Sequence, residues 1–187
     1  PRFDVEAHLA ALAADPPSWP GRTEDLSTLE LTLEVERRSW LGAVLGNRSV
    51  TLELLDYPGE WLLDLPMLRQ DYAEWSAETL RRLRSGPRAE AAAEFLAFVD
   101  ALPATAPAEE ALARRGFTLY RDALRACRDR LGFRFLQPGR VLNPGPRGET
   151  PIQWFFPLPH ATGNDLAALL ARRHEAYVAE QRDGFFE

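Results

Sequence analysis

The sequence predicts an α/β chain in which an antiparallel strand pair leads into a mostly helical segment. Three observations carry this. "LELTLEVER" alternates strictly, with Leu29, Leu31, Leu33 and Val35 on one side and Glu30, Thr32, Glu34 and Glu36 on the other, the period of a strand with one wet face. "VTLELLD" alternates again through Val50, Leu52 and Leu54 and ends on Asp56. From Pro66 onward the apolar spacing changes to three or four, the period of helices.

Taken in order, residues 3–14 place Val5, Leu9 and Leu12 on one helical face and stop at Asp15-Pro16-Pro17, a strong breaker. Ser18 to Thr28 reads as a loop. The two alternating stretches are joined through Gly42, Gly46 and Asn47, a connection suited to an antiparallel pair, with the first strand at or near a sheet edge. Leu68, Tyr72, Trp75, Thr79 and Leu83 form a helical stripe that Pro66 opens and Gly86-Pro87 closes. A second helix is expected over 88–101, ending at Pro103. A third runs from Pro107 to Leu131 with Leu112, Leu119, Tyr120, Leu124, Cys127 and Leu131 inward; Gly116 weakens its middle and Gly132 caps it. Residues 133–159 are dense in Pro and Gly and read as a strand-and-loop segment with a hairpin around Asn143 to Gly148. A last helix is expected over 164–182, showing Leu166, Leu169, Leu170, Tyr177 and Val178.

Composition removes several function classes. The 187 residues carry a formal charge of −6, which argues against a nucleic-acid footprint because phosphate binding wants clustered positive charge. No apolar run approaches the roughly 20 residues of a membrane span. All 22 basic residues are arginine. Without lysine the chain cannot itself contain a G-x-x-x-x-G-K-[ST] phosphate loop, whose lysine reaches the β and γ phosphates. Cys127 stands alone, which excludes an internal disulfide and a thiolate metal cluster and fits a reducing, cytoplasmic setting. The chain starts at Pro1 without a leader-like segment, and a trimmed piece of a longer protein is expected.

The stretch "DYPGEWLLDLP" raises the functional question. Asp56, Pro58 and Gly59 make a turn on composition alone. They also match D-x-x-G, in which a carboxylate at a strand tip orients magnesium-bound water while a glycine amide, free of side-chain crowding, approaches the terminal phosphate. Asp129 to Gly132 matches the same pattern at a helix end, where the glycine is simply a cap. Context separates the two, since ligands of open α/β sheets bind at the carboxyl ends of strands. Glu60 follows Gly59; a carboxylate there is a candidate base, and equally a first-turn helix acid. A hydroxyl ahead of the first strand would complete a magnesium shell. Thr23 is the candidate, with Ser27 and Thr28 as rivals, and Arg22 beside it is in a position to reach phosphate. Trp61 and Trp75 read as core anchors. His8, His160 and His174 lack metal-ligand spacing and read as surface or structural residues, and no G-x-S-x-G occurs.

"DYPGEWLLDLPML", at 56–68, closely resembles the signature segment of the YcjX-like family of bacterial P-loop NTPases, regarded as GTP-binding stress proteins. Further stretches resemble the family in the same order: the opening through "STLELTL", "FLQPGRVLNPG" at 135–145, "QWFFPLP" at 153–159 and the closing helix with "RDGFFE". The resemblance implies part of a Ras-like P-loop NTPase core, an antiparallel strand pair plus switch region, with a large α-helical insertion. Residues 1–61 would be partial core, 62–159 the insertion, and 160–187 a helix returning toward the core. It implies GTP, with ATP as the alternative nucleotide, and Mg2+, with Asp56 on the magnesium side and Gly59 sensing phosphate. The family's phosphate loop and base-reading [NT]-K-x-D element both need lysine and are not in this sequence. A different reading makes the chain a non-catalytic helical module that binds a protein partner, or a degenerate homologue without hydrolysis.

Overall fold

Alternation at 27–35 and 48–56 resolves into strands β1, Ser27–Val35, and β2, Arg48–Asp56, paired antiparallel from Ser27 opposite Asp56 to Val35 opposite Arg48. A computed structural model of the chain describes residues 2–21, 23–35, 48–146, 148–159, 163 and 165–185. Arg22, the connection carrying Gly42, Gly46 and Asn47, and His160 lie outside the described residues. The chain divides into two units, Pro1–Gly59 and Glu60–Glu187.

In the first unit, helix α1 spans Val5–Ala13 and is capped by Asp4, whose carboxylate accepts the Ala7 N–H at 2.9 Å. The Phe3 N–H donates to the Thr28 carbonyl at 2.9 Å, tying the chain start to β1. Across the strand pair Leu29 faces Leu54, Leu31 faces Leu52 and Leu33 faces Val50, so one side of the hairpin is apolar. Glu30 faces Glu53 on the other side, an arrangement that only a solvated face tolerates.

The second unit is helical. Its elements, the first of which starts on the last residue of the first unit, are α2, Gly59–Leu62; a 3-10 turn, Leu65–Arg69; α3, Tyr72–Leu83; α4, Pro87–Ala91; α5, Ala93–Asp100; α6, Glu110–Asp129; α7, Gly139–Leu142; a second 3-10 turn, Pro151–Gln153; and α8, Asp165–Phe185. The helix expected from Pro66 to Gly86 is two elements. Gln70 takes an extended conformation, and Asp71 opens α3 with a reciprocal cap: its carboxylate accepts the Glu74 N–H at 2.8 Å while Glu74 accepts the Asp71 N–H at 3.1 Å. The helix expected over 88–101 is likewise divided, at Ala92.

The strand-and-loop expectation for 133–159 is corrected: no strand occurs there among the described residues, and Asn143 ends a short helix rather than starting a hairpin. Pro138, Pro144, Pro146, Pro151, Pro157 and Pro159 lack the N–H that a ladder requires. The segment instead inserts Phe155, Phe156 and Leu158 into the core as irregular chain.

The inner face of α6 also differs from the leucine-based expectation. Ala113, Gly116, Phe117, Tyr120, Ala123, Leu124 and Cys127 are buried, whereas Leu112 and Leu119 are half-buried and Leu131 is exposed. Small residues turn this face inward because they admit bulky neighbours. A Cβ at Gly116 would lie 2.2 Å from Cε1 of Phe156, a ring itself held by Phe95 and Phe98. The glycine that weakens the helix in isolation is thus the seat of an aromatic side chain. Trp75 anchors the core from α3, meeting Tyr120 and Phe155 edge-on.

Asp64 and His174 are buried groups of this unit that titrate in the acidic range. Asp64, between α2 and the first 3-10 turn, accepts a hydrogen bond from the Tyr177 hydroxyl and another from the Gly139 N–H at 2.7 Å. Burial outweighs these donors and the nearby Arg140 charge and raises its carboxyl to about 6. His174 of α8 packs against Tyr72, Trp75 and Phe155, and neither ring nitrogen has a hydrogen-bond partner among the described residues. Burial lowers its pKa to about 4, against the opposing pull of Asp71.

Gly116→Ala is expected to destabilise the helical unit by about 1–3 kcal/mol, because overpacking against Phe156 exceeds the gain in helix propensity; urea unfolding followed by circular dichroism measures it. The titrating pair predicts a pH signature. Asp64, with its folded pKa raised above 3.8, contributes stability that is complete below that value and is lost as pH rises through about 6. His174, with its folded pKa depressed below 6.5, contributes stability that is present above 6.5 and lost as pH falls through about 4. Between pH 4 and 6 the two slopes oppose each other. Relative to the parent chain, His174→Leu should therefore gain stability on acidification and Asp64→Asn should lose it, each with a slope of up to about 1 kcal/mol per pH unit. Parallel urea midpoints across that range would contradict the assignment.

Candidate functional site

The alternation of β2 carries Asp56 to the strand's carboxyl end, opposite Ser27 at the start of β1. Thr23, just ahead of β1, donates from Oγ1 to Oδ2 of Asp56 at 3.0 Å. Two residues 33 apart in sequence thus form a half-buried pair of oxygen-bearing side chains. Ser27 and Thr28, the rival hydroxyls, lie within β1. Arg22 lies outside the described residues. Hard oxygen donors of this kind suit a small divalent cation such as magnesium, which takes one or two protein oxygens and fills the rest of its shell with water and phosphate. Among the described residues, no group of three or more His, Cys, Asp or Glu is gathered to enclose a metal by itself.

Gly59 opens α2 with no side chain, and a Cβ added there would meet nothing within 4 Å. Glu60 follows it in the first turn. Its carboxylate accepts a long hydrogen bond, 3.4 Å, from Nδ2 of Asn143. Next to it, Trp61 is half-buried and its indole N–H donates to the Asn143 carbonyl at 2.8 Å. Trp75 is the fully buried anchor of the two.

Sequence reasoning gives no site role to Asp64, within the segment after the D-x-x-G element, or to Gln137, Arg140, Asn143 and Tyr177, which surround that segment; Asn143 reads only as a turn residue and Tyr177 only as part of a helical stripe. A signal for one of them was present. Asp64 interrupts the apolar run "WLLDLP", and a lone acid inside such a run is either exposed at a turn or buried with dedicated donors. Its donors come from residues 75 and 113 positions away, so no local pattern could identify them.

The second D-x-x-G match is a helix end. Asp129 is exposed and pairs with Arg128 at 2.7 Å, and Gly132 takes a positive φ of 69° while the Phe133 N–H reaches back to the Cys127 carbonyl at 3.1 Å. Cys127 is buried, which raises its thiol pKa. No described helix is long and apolar enough to cross a membrane.

The whole chain, residues 1–187, matches the model of the YcjX-like family, DUF463. It is 35% identical over 199 aligned positions to the Ras-like GTPase YcjX of Escherichia coli (strain K12), covering all of this chain and 42% of that protein. It is 33% identical over 197 positions to the Ras-like GTPase YcjX of Shewanella oneidensis (strain MR-1), covering 99% of this chain and 41% of that protein. The chain therefore spans about two-fifths of the length of these curated relatives. With a match that runs from its first residue to its last, the chain belongs to the YcjX-like family.

Proposed function

We propose that this chain is the switch-bearing and helical part of a GTP-hydrolysing molecular switch of the bacterial stress response. The observation that supports the reading best is the Thr23–Asp56 pair at the carboxyl end of β2. A hydroxyl from the segment before an edge strand and a carboxylate from the tip of its neighbour are the donors a magnesium-nucleotide site needs from this part of the fold. The name Ras-like GTPase carried by both relatives favours GTP over ATP.

On this reading Asp56 and Thr23 hold the magnesium side of the site, and Arg22 reaches toward phosphate. Gly59 offers its amide to the terminal phosphate, uncrowded by a Cβ. Glu60 is the candidate to orient or deprotonate the attacking water. Magnesium, when bound, supplies charge neutralisation at the phosphates. The apolar side of the β1–β2 hairpin, where Leu31, Leu33, Leu52 and Leu54 are exposed, also fits a partial Ras-like core, because an isolated two-stranded pair is marginal in water. Residues 62–159 then constitute the insertion and 160–187 the returning helix. The insertion is the natural surface for a protein partner, and it shares one buried core with the last helix, which contributes Leu166, Leu170 and Tyr177.

Two measurements test this. In the whole protein, Asp56→Ala should lower GTP hydrolysis by roughly 10²-fold or more. Gly59→Ala should weaken GTP binding relative to GDP without unfolding the helical unit, since the added Cβ has open space. Normal binding and turnover by both variants would overturn the assignment. The 187 residues alone lack a phosphate-loop lysine and should bind GTP more weakly than about 1 mM by calorimetric titration.

A further inference from the structure

Of the five residues that follow Gly59, Glu60, Trp61, Leu63 and Asp64 are each held by the single segment 137–143. Nε2 of Gln137 donates to the Leu63 carbonyl at 2.5 Å, and the Gly139 N–H donates to Asp64 at 2.7 Å. The Trp61 indole N–H donates to the Asn143 carbonyl at 2.8 Å, and the Arg140 guanidinium lies 5.3 Å from the centre of the Trp61 ring. The backbones themselves are in contact. A Cβ on Gly139 would sit 1.8 Å from the Glu60 carbonyl oxygen, so only glycine permits this approach.

The same segment is wired onward. Tyr177 of α8 donates its hydroxyl to Asp64, Arg140 pairs with Glu180 of α8 at 3.0 Å, and the Tyr120 hydroxyl of α6 donates to the Gln137 carbonyl at 2.6 Å. Packing this dense has few intermediate arrangements, so a displacement of Glu60 is passed on rather than absorbed.

We propose that segment 137–143 is the output relay of the switch: it grips the residues immediately after Gly59 and carries their nucleotide-dependent position into α8. The proposal rests on the GTPase reading above. Gly59 and Glu60 share a peptide bond, so a change at Gly59 is either taken up at that one junction or delivered to the grip. By linkage, a grip that responds to nucleotide must itself bias the preference for GTP over GDP, and loosening it must change that preference.

The test uses the whole protein, with Trp61→Phe, which deletes the indole donor and keeps an aromatic ring, and Gln137→Ala as a second loosening variant. The readouts are the GTP-to-GDP affinity ratio and hydrogen exchange of residues 139–143 and 174–181 with a non-hydrolysable GTP analogue against GDP. In the parent protein these peptides should differ in protection between the two nucleotides. In both variants that difference should disappear and the affinity ratio should change by roughly five-fold or more. Magnesium-dependent GTP binding that requires Asp56, together with exchange at 139–143 and 174–181 that is blind to nucleotide, would overturn the relay and leave the switch reading intact. No GTP binding by the parent protein would overturn both.

Discussion

The helical unit depends on one buried carboxylate. Asp64 sits where water is excluded, and an ionised group there is tolerated only with dedicated donors. Those donors are the Tyr177 hydroxyl and the N–H groups of Gly139 and Arg140, the first turn of α7. Pro138 gives that helix no capping side chain, so Asp64 serves as its cap from a remote part of the chain. Tyr177 stays protonated and able to donate because burial and the Asp64 charge both raise its phenol. One side chain thereby joins the segment after the D-x-x-G element, the Pro- and Gly-rich loop, and the last helix.

The first unit presents the opposite situation. Its hairpin is specified by register, with leucines paired across one face and acids across the other, yet its described leucines and valines are not buried. Leu31, Leu33, Leu52 and Leu54 form an exposed apolar stripe on it. At the end of the hairpin the Thr23–Asp56 hydrogen bond ties the tip of β2 to a hydroxyl placed before β1 begins.

Much of this architecture can be read from local pattern. The two strands follow from strict alternation, and α1, α6 and α8 follow from helical spacing between breakers. The division at Gln70 was also legible, since Asp71 and Glu74 have the spacing of a reciprocal cap; the apolar stripe across it simply draws the eye first. The inward face of α6 was not legible. Leucine looks like the core residue, but the close approach to Phe156 is made at Gly116, whose value comes from what it leaves empty.

The sequence by itself determined the alternating hairpin, the position of Asp56 at its tip, the helices α1, α6 and α8 and, through "DYPGEWLLDLP" and its companion stretches, the family. Those are properties of neighbouring residues, set by periods of two and 3.6 and by turn chemistry. Tertiary structure alone decided that Thr23 meets Asp56, that 137–143 holds the residues after Gly59, and that Asp64 and His174 are buried. Each of these joins chain segments tens of residues apart, and the free energy of such contacts comes from desolvation and close packing, which no local pattern encodes.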